Sequence, residues 1–218
     1  MVNNVSGAFG AFRRSFLQKI GGWDTHTAED LDITLRIKNY FGRRPLRIPF
    51  EPRAIGHTDA PVTFRQFLMQ RLRWDGDLFF LYVRKHRHSF TPRLLGWPNF
   101  LVVLVSGFFF QLVLPFIILG YFIVGLYSLT LSTFLVLAWL VYLVYLANTL
   151  LAYVVAVCMV SERPRQDLWL CWVVPLFPLF MFVMRCWSAV AILNEMIRRG
   201  HEETSMAPWW VLRKAKRF

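Results

Sequence analysis

Between Arg93 and Glu162 the chain carries no Asp, Glu, Lys, Arg or His, an uncharged run of 68 residues. A water-soluble fold cannot hold such a run, because its surface would have nothing to offer water over several consecutive elements. A helix crosses the hydrocarbon core with about 20 mostly apolar residues, so this stretch accommodates two crossings and a short turn. Apolar residues make up 56% of the sequence, and the surplus is concentrated here. The chain therefore reads as an integral membrane protein, with the lipid bilayer as its first partner.

The formal charge of +12 raises the question of nucleic acid. Its placement answers differently. Arg84-Lys85-His86-Arg87-His88 and Arg93 stand just before the first apolar run, and Arg213-Lys214-Ala215-Lys216-Arg217 closes the chain. Basic residues beside spans favour the cytoplasmic side and its anionic lipid surface. No basic stripe or recognition module accompanies them, so no nucleic-acid partner is expected. Cys158, Cys171 and Cys186 all sit in apolar segments without ligand spacing, where a thiol acts as a small hydrophobe. Neither a disulfide framework nor a zinc site is implied. The first residues, Met1-Val2-Asn3-Asn4-Val5, lack the charged-then-apolar pattern of a signal peptide.

Composition divides the chain into four parts: 1–62, 63–95, 96–197 and 198–218. The first mixes short apolar runs with turn signals, as a soluble α/β piece does. Ser15 to Ile20 predicts a short helix ended by Gly21-Gly22, and Thr27 is a candidate cap for a second helix with Glu29, Asp30 and Asp32 in its first turns. Gly42 stops that helix, and Leu46-Arg47-Ile48-Pro49 predicts a short edge strand. From Thr63 to about Arg87, Phe64, Phe67, Leu68, Leu72 and Phe79 recur at helical spacing opposite a polar side. This predicts an amphipathic helix along the membrane surface, with Gly76 a candidate bend. Apolar segments at about 97–127 and 131–160 are the expected spans, and Ser128-Leu129-Thr130 is the turn between them. A third, at about 168–193, is broken by Pro175 and Pro178 and contains Arg185. Residues 198–218 form a basic tail.

Two motifs carry possible chemistry. Glu29-Asp30-Leu31-Asp32 places three carboxylates at a helix start, which satisfies capping and the helix dipole and also suits a general base. Gln70, Arg73 and Trp74 fall at i, i+3 and i+4 and so share one helix face. A guanidinium fits phosphate oxygens, an indole offers a platform for a sugar, and an amide can hold either. The same Arg and Trp also suit simple anchoring at lipid headgroups.

Taken in order, Ser6-Gly7-Ala8-Phe9-Gly10-Ala11-Phe12-Arg13-Arg14, Gly21-Gly22-Trp23, Thr27-Ala28-Glu29-Asp30-Leu31-Asp32 and Gln70-Arg71-Leu72-Arg73-Trp74 resemble the processive family 2 glycosyltransferases. That group includes cellulose, chitin, hyaluronan and poly-N-acetylglucosamine synthases. The resemblance implies an α/β remnant of a GT-A glycosyltransferase domain, then an amphipathic interfacial helix, then an α-helical transmembrane bundle. It implies Asp30, with Glu29 beside it, as the catalytic base motif. Gln70, Arg73 and Trp74 would bind pyrophosphate and acceptor sugar, and Ser6 and Gly7 would line the acceptor path. The partners implied are a nucleotide-sugar donor and a polysaccharide or glycolipid acceptor, with the catalytic part on the cytosolic face of a bacterial-type inner or plasma membrane.

One departure qualifies the resemblance. The family's nucleotide-sugar site and its Asp-x-Asp metal motif lie upstream of everything quoted above, so an N-terminal catalytic half is expected to be missing. Mg²⁺ or Mn²⁺ is expected for the full enzyme, with its ligands absent from this chain, and the chain is expected to be inactive alone. Asp30-Leu31-Asp32 mimics Asp-x-Asp by spacing, but its Thr-Ala-Glu lead-in matches the base motif. The competing reading is a non-catalytic membrane subunit or channel partner derived from such an enzyme. Topology also holds a conflict. A third full crossing, the favoured expectation, puts the tail outside, whereas Arg198, Arg199 and the terminal basic cluster call for the cytosol. A re-entrant third segment, turning at Pro175 and Pro178, resolves it the other way.

Overall fold

A computed structural model describes residues 4–7, 10–23, 28–41, 48–49, 51, 54, 56 and 59–200. Thr27, Gly42, Leu46, Arg47 and residues 201–218, which hold the terminal basic cluster, lie outside the described residues. The chain divides into two compact units, Met1–Leu114 with Ser188–Phe218, and Pro115–Trp187.

The first unit begins with α1 (Arg14–Lys19), which closes at Gly21 and Gly22 with φ of 82° and 66°. A side chain is strained at such angles, so the expected Gly-Gly stop is a conformational requirement. Next comes α2 (Glu29–Phe41), whose Leu31, Ile33, Leu35 and Ile37 are all buried. Among the described residues there is no strand, and Ile48 and Pro49 have no regular structure. The expected α/β character is thus not seen in this part of the chain, which is helical.

Thr63 opens α3 (Phe64–Phe79) with a reciprocal capping box, its hydroxyl accepting from the Gln66 N–H while the Gln66 side chain accepts from the Thr63 N–H, each at 3.2 Å. The helix does not break at Gly76. Instead it continues as π-helix from Phe80 to Lys85, and Gly76 is buried against the last helix of the chain. A side chain there would meet Glu195 Cβ at 3.4 Å and the Ala191 carbonyl at 3.8 Å. Gly76 is therefore a packed position with room for ordinary van der Waals contact, and not the site of a bend. Two short helices, α4 (Pro92–Leu95) and α5 (Trp97–Val102), meet at Gly96, with φ of 72°.

The first span is continuous from Trp97 to Ser128. Its helix widens to a π ladder over Val103–Val113 before α6 (Leu114–Ser128). Pro115 explains the position of the change: it has no N–H to donate and its ring crowds the carbonyl four residues earlier. Within the π stretch Gly107 faces Tyr82, and a methyl group added there would lie 2.5 Å from the Tyr82 hydroxyl and 2.8 Å from its Cζ.

In the second unit, α6 and α7 (Leu131–Val155, extended as π-helix to Val160) form a hairpin capped by the Thr130 side chain. The Phe122 and Phe134 rings meet edge to face across it, 5.4 Å apart. No residue of α7 is buried, and its outward side chains, Trp139, Val144 and Leu151 among them, suit contact with lipid. The 30-residue helix from Leu131 to Val160 matches the expected second span.

The third apolar segment departs from its expected bounds. After α8 (Pro164–Asp167), Leu168–Trp172 and Val174–Leu176 are 3₁₀ turns, and a regular helix, α9 (Phe177–Arg198), begins only beyond Pro175. The turns run back along α7: the Tyr153 hydroxyl donates to the carbonyls of Asp167 and Leu168, and the Tyr142 hydroxyl donates to that of Pro175. Prolines at 175 and 178 remove backbone donors where the chain changes from 3₁₀ to α-helix. The third stretch long and apolar enough to cross is Val174–Arg198.

Gly107→Ala forces Tyr82 to move, and overpacking of this kind costs about 1–3 kcal/mol. The thermal midpoint of the detergent-solubilised protein is expected to fall by several degrees, and pairing the change with Tyr82→Ala should recover part of the loss.

Candidate functional site

The carboxylates at the start of α2 follow a strained entry. Ala28 has φ of 43°, in the left-handed region that costs a non-glycine residue about 1–2 kcal/mol, and its carbonyl accepts from the Asp32 N–H at 2.9 Å. Backbone strain of this kind gathers at functional sites, because surrounding structure must hold it in place. Here it aims the first turn of α2 at the N-terminal segment. A methyl group at Gly7 would stand 3.2 Å from Glu29 Oε1 and 3.3 Å from Asp30 Cβ. The Ser6-Gly7 segment and the Glu29-Asp30 pair, 22 or more residues apart in sequence, are thus brought together. Ser6, Gly7 and Glu29 are exposed and Asp30 is half-buried.

Hydrogen bonds fix that junction. The Asn4 amide donates to Asp30 Oδ2 at 2.9 Å, and the Leu31 N–H donates to Asp30 Oδ1 at 2.7 Å. The Val5 N–H donates to Thr34 Oγ1 at 3.0 Å, and the Thr34 hydroxyl lies within reach of both the Asp30 carbonyl and Asn4 Oδ1.

Asp32 faces the other way and is fully buried. Its Oδ1 accepts from Lys85 Nζ at 2.9 Å and from His86 Nε2 at 2.7 Å, and its Oδ2 accepts from Arg36 Nε at 2.8 Å. Arg36 in turn donates to the carbonyls of Ile20 and Gly22, at 2.8 and 2.6 Å. One carboxylate therefore ties together the loop after α1, the helix α2 and the end of the π-helix that prolongs α3. Burial raises the Asp32 pKa, but the His86 hydrogen bond and the charges of Lys85 and Arg36 outweigh it and bring the value from 3.8 to about 2.

This arrangement bears on the metal. Both oxygens of Asp32 are engaged by cationic or N–H donors, and those of Asp30 by an amide and a backbone N–H. Asp30-Leu31-Asp32 thus does not fit a divalent cation, whose charge Lys85 and Arg36 would oppose. Among the described residues no three His, Cys, Asp or Glu side chains form a metal-holding group.

The Gln70, Arg73 and Trp74 face lies on α3 in the same unit. Trp74 is 44% exposed, Arg73 is exposed and Gln70 half-buried. The cation stacked on Trp74 is Arg71, 5.0 Å from the indole and 5.4 Å from the Phe67 ring, so one side of the indole platform is braced by its own helix. Among the described residues no hydrogen bond or ion pair links Gln70 or Arg73 to Glu29 or Asp30.

Behind this face, α3 and its π extension are fastened to α9. Ser188 donates to Asp75 Oδ2 at 2.6 Å, while Arg84 pairs with the buried Glu195 at 3.2 Å and donates to the Glu195 and Met196 carbonyls. Sequence reading missed these polar anchors: His86 and Arg84 were counted only as part of a basic flank, and the i, i+4 spacing of Asp32 and Arg36 was the one legible signal.

A family model described as glycosyl transferase family group 2 matches residues 1–211. The chain belongs to that family. Among curated proteins it is similar to a probable glycosyltransferase, YdaM, of Bacillus subtilis strain 168, 36% identical over 74 residues, which are 34% of this chain and 17% of that protein. It is 32% identical over 74 residues to a poly-beta-1,6-N-acetyl-D-glucosamine synthase of Staphylococcus epidermidis, again covering 34% and 17% of the two chains. These matches span about a sixth of the relatives' length. No solved structure matches this family 2 chain.

Since the Asp32 pKa is lowered on folding, its stabilisation is present above the unfolded value of 3.8 and is lost as pH falls through 3.8 toward about 2. That shift corresponds to on the order of 2 kcal/mol. Thermal midpoints of the detergent-solubilised protein should therefore drop between pH 4 and pH 2. Asp32→Asn should be less stable than the parent at pH 7 by about 3–5 kcal/mol, since Lys85 loses its buried partner, and should show a shallower acid dependence.

Proposed function

We propose that this chain is the acceptor-side part of a membrane glycosyltransferase that moves a sugar from a nucleotide-sugar donor to a growing polysaccharide or glycolipid, with inversion. The observation that carries the reading is the seating of Gly7 on Glu29 and Asp30 in a chain of glycosyl transferase family group 2. An acceptor hydroxyl held along the Ser6-Gly7 backbone would lie beside a carboxylate. Asp30 takes the hydroxyl proton as the acceptor oxygen bonds to the anomeric carbon, while the bond from that carbon to the diphosphate oxygen breaks and the nucleoside diphosphate leaves. Gln70 and Arg73 hold the pyrophosphate and the acceptor end, and the open face of Trp74 stacks on the acceptor sugar. Residues 1–62 are read as the C-terminal part of a GT-A domain, and the donor and its Mg²⁺ or Mn²⁺ are assigned to sequence outside this chain. Support for both comes from the order of the motifs.

The catalytic part is placed on the cytosolic side, and the tail with it. Two observations support the tail's side: Arg84, thirteen residues before Trp97 at the start of the first span, grips the last turn of α9, and Arg198 and Arg199 follow directly. A helix end held by the flank that precedes the first span shares that flank's membrane face. The third apolar segment then enters and leaves on one face, turning near Pro175 and Pro178, in place of the full crossing favoured from sequence.

In membranes from cells expressing the complete reading frame, Asp30→Asn is expected to reduce transfer from the preferred nucleotide sugar by at least about a hundredfold, within the range a general base supplies, with unchanged expression. Trp74→Ala should chiefly weaken acceptor use. Polymer synthesis by Asp30→Asn at the parental rate would refute the base. A cysteine added after Arg199 should react with an impermeant maleimide only after permeabilisation; labelling in intact cells would refute the cytosolic tail.

A further inference from the structure

Resting on the reading of Asp30 as the base, we propose that Asn4 and Thr34 are positioning residues that fix the Asp30 carboxylate and the Ser6-Gly7 backbone as a single unit. An ionised carboxylate only accepts hydrogen bonds, so the Asn4 side chain, 2.9 Å from Asp30 Oδ2, must present its NH₂ group there. That orientation turns Asn4 Oδ1 toward Thr34 Oγ1, 3.0 Å away, where it needs a donor. The single hydroxyl proton of Thr34 lies between Asn4 Oδ1 and the Asp30 carbonyl, 2.7 Å away and four residues back on α2, and is shared by the two acceptors. The lone pairs of the Thr34 hydroxyl oxygen accept the Val5 N–H at 3.0 Å.

The result is a short relay in which each member determines the next. Thr34 is fully buried and anchored to α2 by its own backbone bond, so it serves as the fixed end. Asn4, exposed, carries that fixity outward to the carboxylate oxygen, and Val5 carries it to the backbone that becomes Ser6 and Gly7. Oδ1 of Asp30 is held separately by the Leu31 N–H. Base and acceptor path would thus move together, which matters because displacement of a reacting group by about 1 Å can cost two orders of magnitude in rate.

Three properties distinguish this role from ordinary packing. Valine is nearly the shape of threonine but lacks the hydroxyl, and would leave the Val5 N–H and Asn4 Oδ1 without partners. Serine keeps the hydroxyl. Aspartate is nearly the shape of asparagine but sets a second carboxylate oxygen against Asp30 Oδ2.

The test uses membranes carrying the complete enzyme, with initial rates measured over a range of nucleotide-sugar concentrations. Asn4→Ala and Thr34→Val are expected to lower kcat by roughly tenfold with donor KM within twofold of the parent, Asn4→Asp to lower it further, and Thr34→Ser to keep at least half of it. Thermal midpoints of Asn4→Asp, close to isosteric, and of Thr34→Ser, which removes one methyl group, should stay within a few degrees of the parent. Turnover by Asn4→Asp within twofold of the parent would overturn the proposal, as would Thr34→Ser being as impaired as Thr34→Val, or a loss confined to donor KM. Asp30→Asn is run alongside. If it is inactive while the Asn4 variants turn over normally, the positioning role fails and the base stands; if it is active, the base itself fails and the positioning role with it.

Discussion

The contact on which the first unit depends is the buried Asp32 carboxylate with Lys85, His86 and Arg36 around it. Among the described residues of 1–62 there is no strand. There α2 is held by apolar packing of Leu31, Ile33, Leu35 and Ile37, by the hydrogen bonds of Asp30 and Thr34 to Asn4 and Val5, and by this ionic junction. Taking a carboxylate fully out of water costs several kcal/mol, and three donors on two oxygens are what offset that cost. The geometry has a directional consequence. Asp32 is two residues beyond Asp30 on the same helix, so clamping Asp32 to the end of the π-helix fixes the rotation of α2 and with it the side from which Asp30 faces Gly7.

A second consequence follows for α3. The residues that clamp Asp32, Lys85 and His86, belong to the same continuous helical stretch that carries Gln70, Arg73 and Trp74. The carboxylate-bearing helix and the helix with the exposed Trp74 are therefore linked by an ion pair without direct bonding between the proposed reacting groups. The transition from α to π after Phe79 adds to this: an i to i+5 turn rotates the following residues relative to an α-helix, and it is on that rotated turn that Tyr82 meets Gly107 and Lys85 and His86 meet Asp32. π-helical stretches are uncommon and concentrate at functional sites, in keeping with a segment that must satisfy three partners at once.

How much of this was legible in the sequence follows from the range of each interaction. The first two spans could be bounded to within a residue because lipid selects on local composition alone: 97–127 and 131–160 were expected, and the helices run Trp97–Ser128 and Leu131–Val160. The start of α2 at its carboxylates, and of α3 at Thr63, was equally local. The third segment was misplaced because prolines at 175 and 178 permit 3₁₀ turns inside an apolar stretch, and hydropathy cannot tell those from α-helix. The polar anchors were illegible for another reason. Asp32 meets His86 across 54 positions and Arg84 meets Glu195 across 111, and no spacing rule reaches so far. The cation on Trp74 is Arg71, because a guanidinium three residues before an indole on a helix reaches its ring.

The Glu195 junction shows why charged residues in and beside such spans carry information that hydropathy discards. Glu195 is almost completely buried, and an unpaired buried carboxylate there would destabilise the helix end it belongs to. Arg84 pairs with it, and the same guanidinium donates to the carbonyls of Glu195, which also accepts from the Arg199 N–H, and Met196 in the last turn of α9. A positive charge at a helix C-terminus is also favoured by the helix dipole. One arginine thus neutralises a buried acid, caps a span and fixes where the helix bearing Trp74 sits against it. Gly76 is packed beside this junction, where an added Cβ would lie 3.4 Å from Glu195 Cβ and 3.8 Å from the Ala191 carbonyl, in ordinary van der Waals contact. The seat of the helix that carries Trp74 is in this way built from the last apolar helix of the chain, so that helix is part of the framework that positions α3.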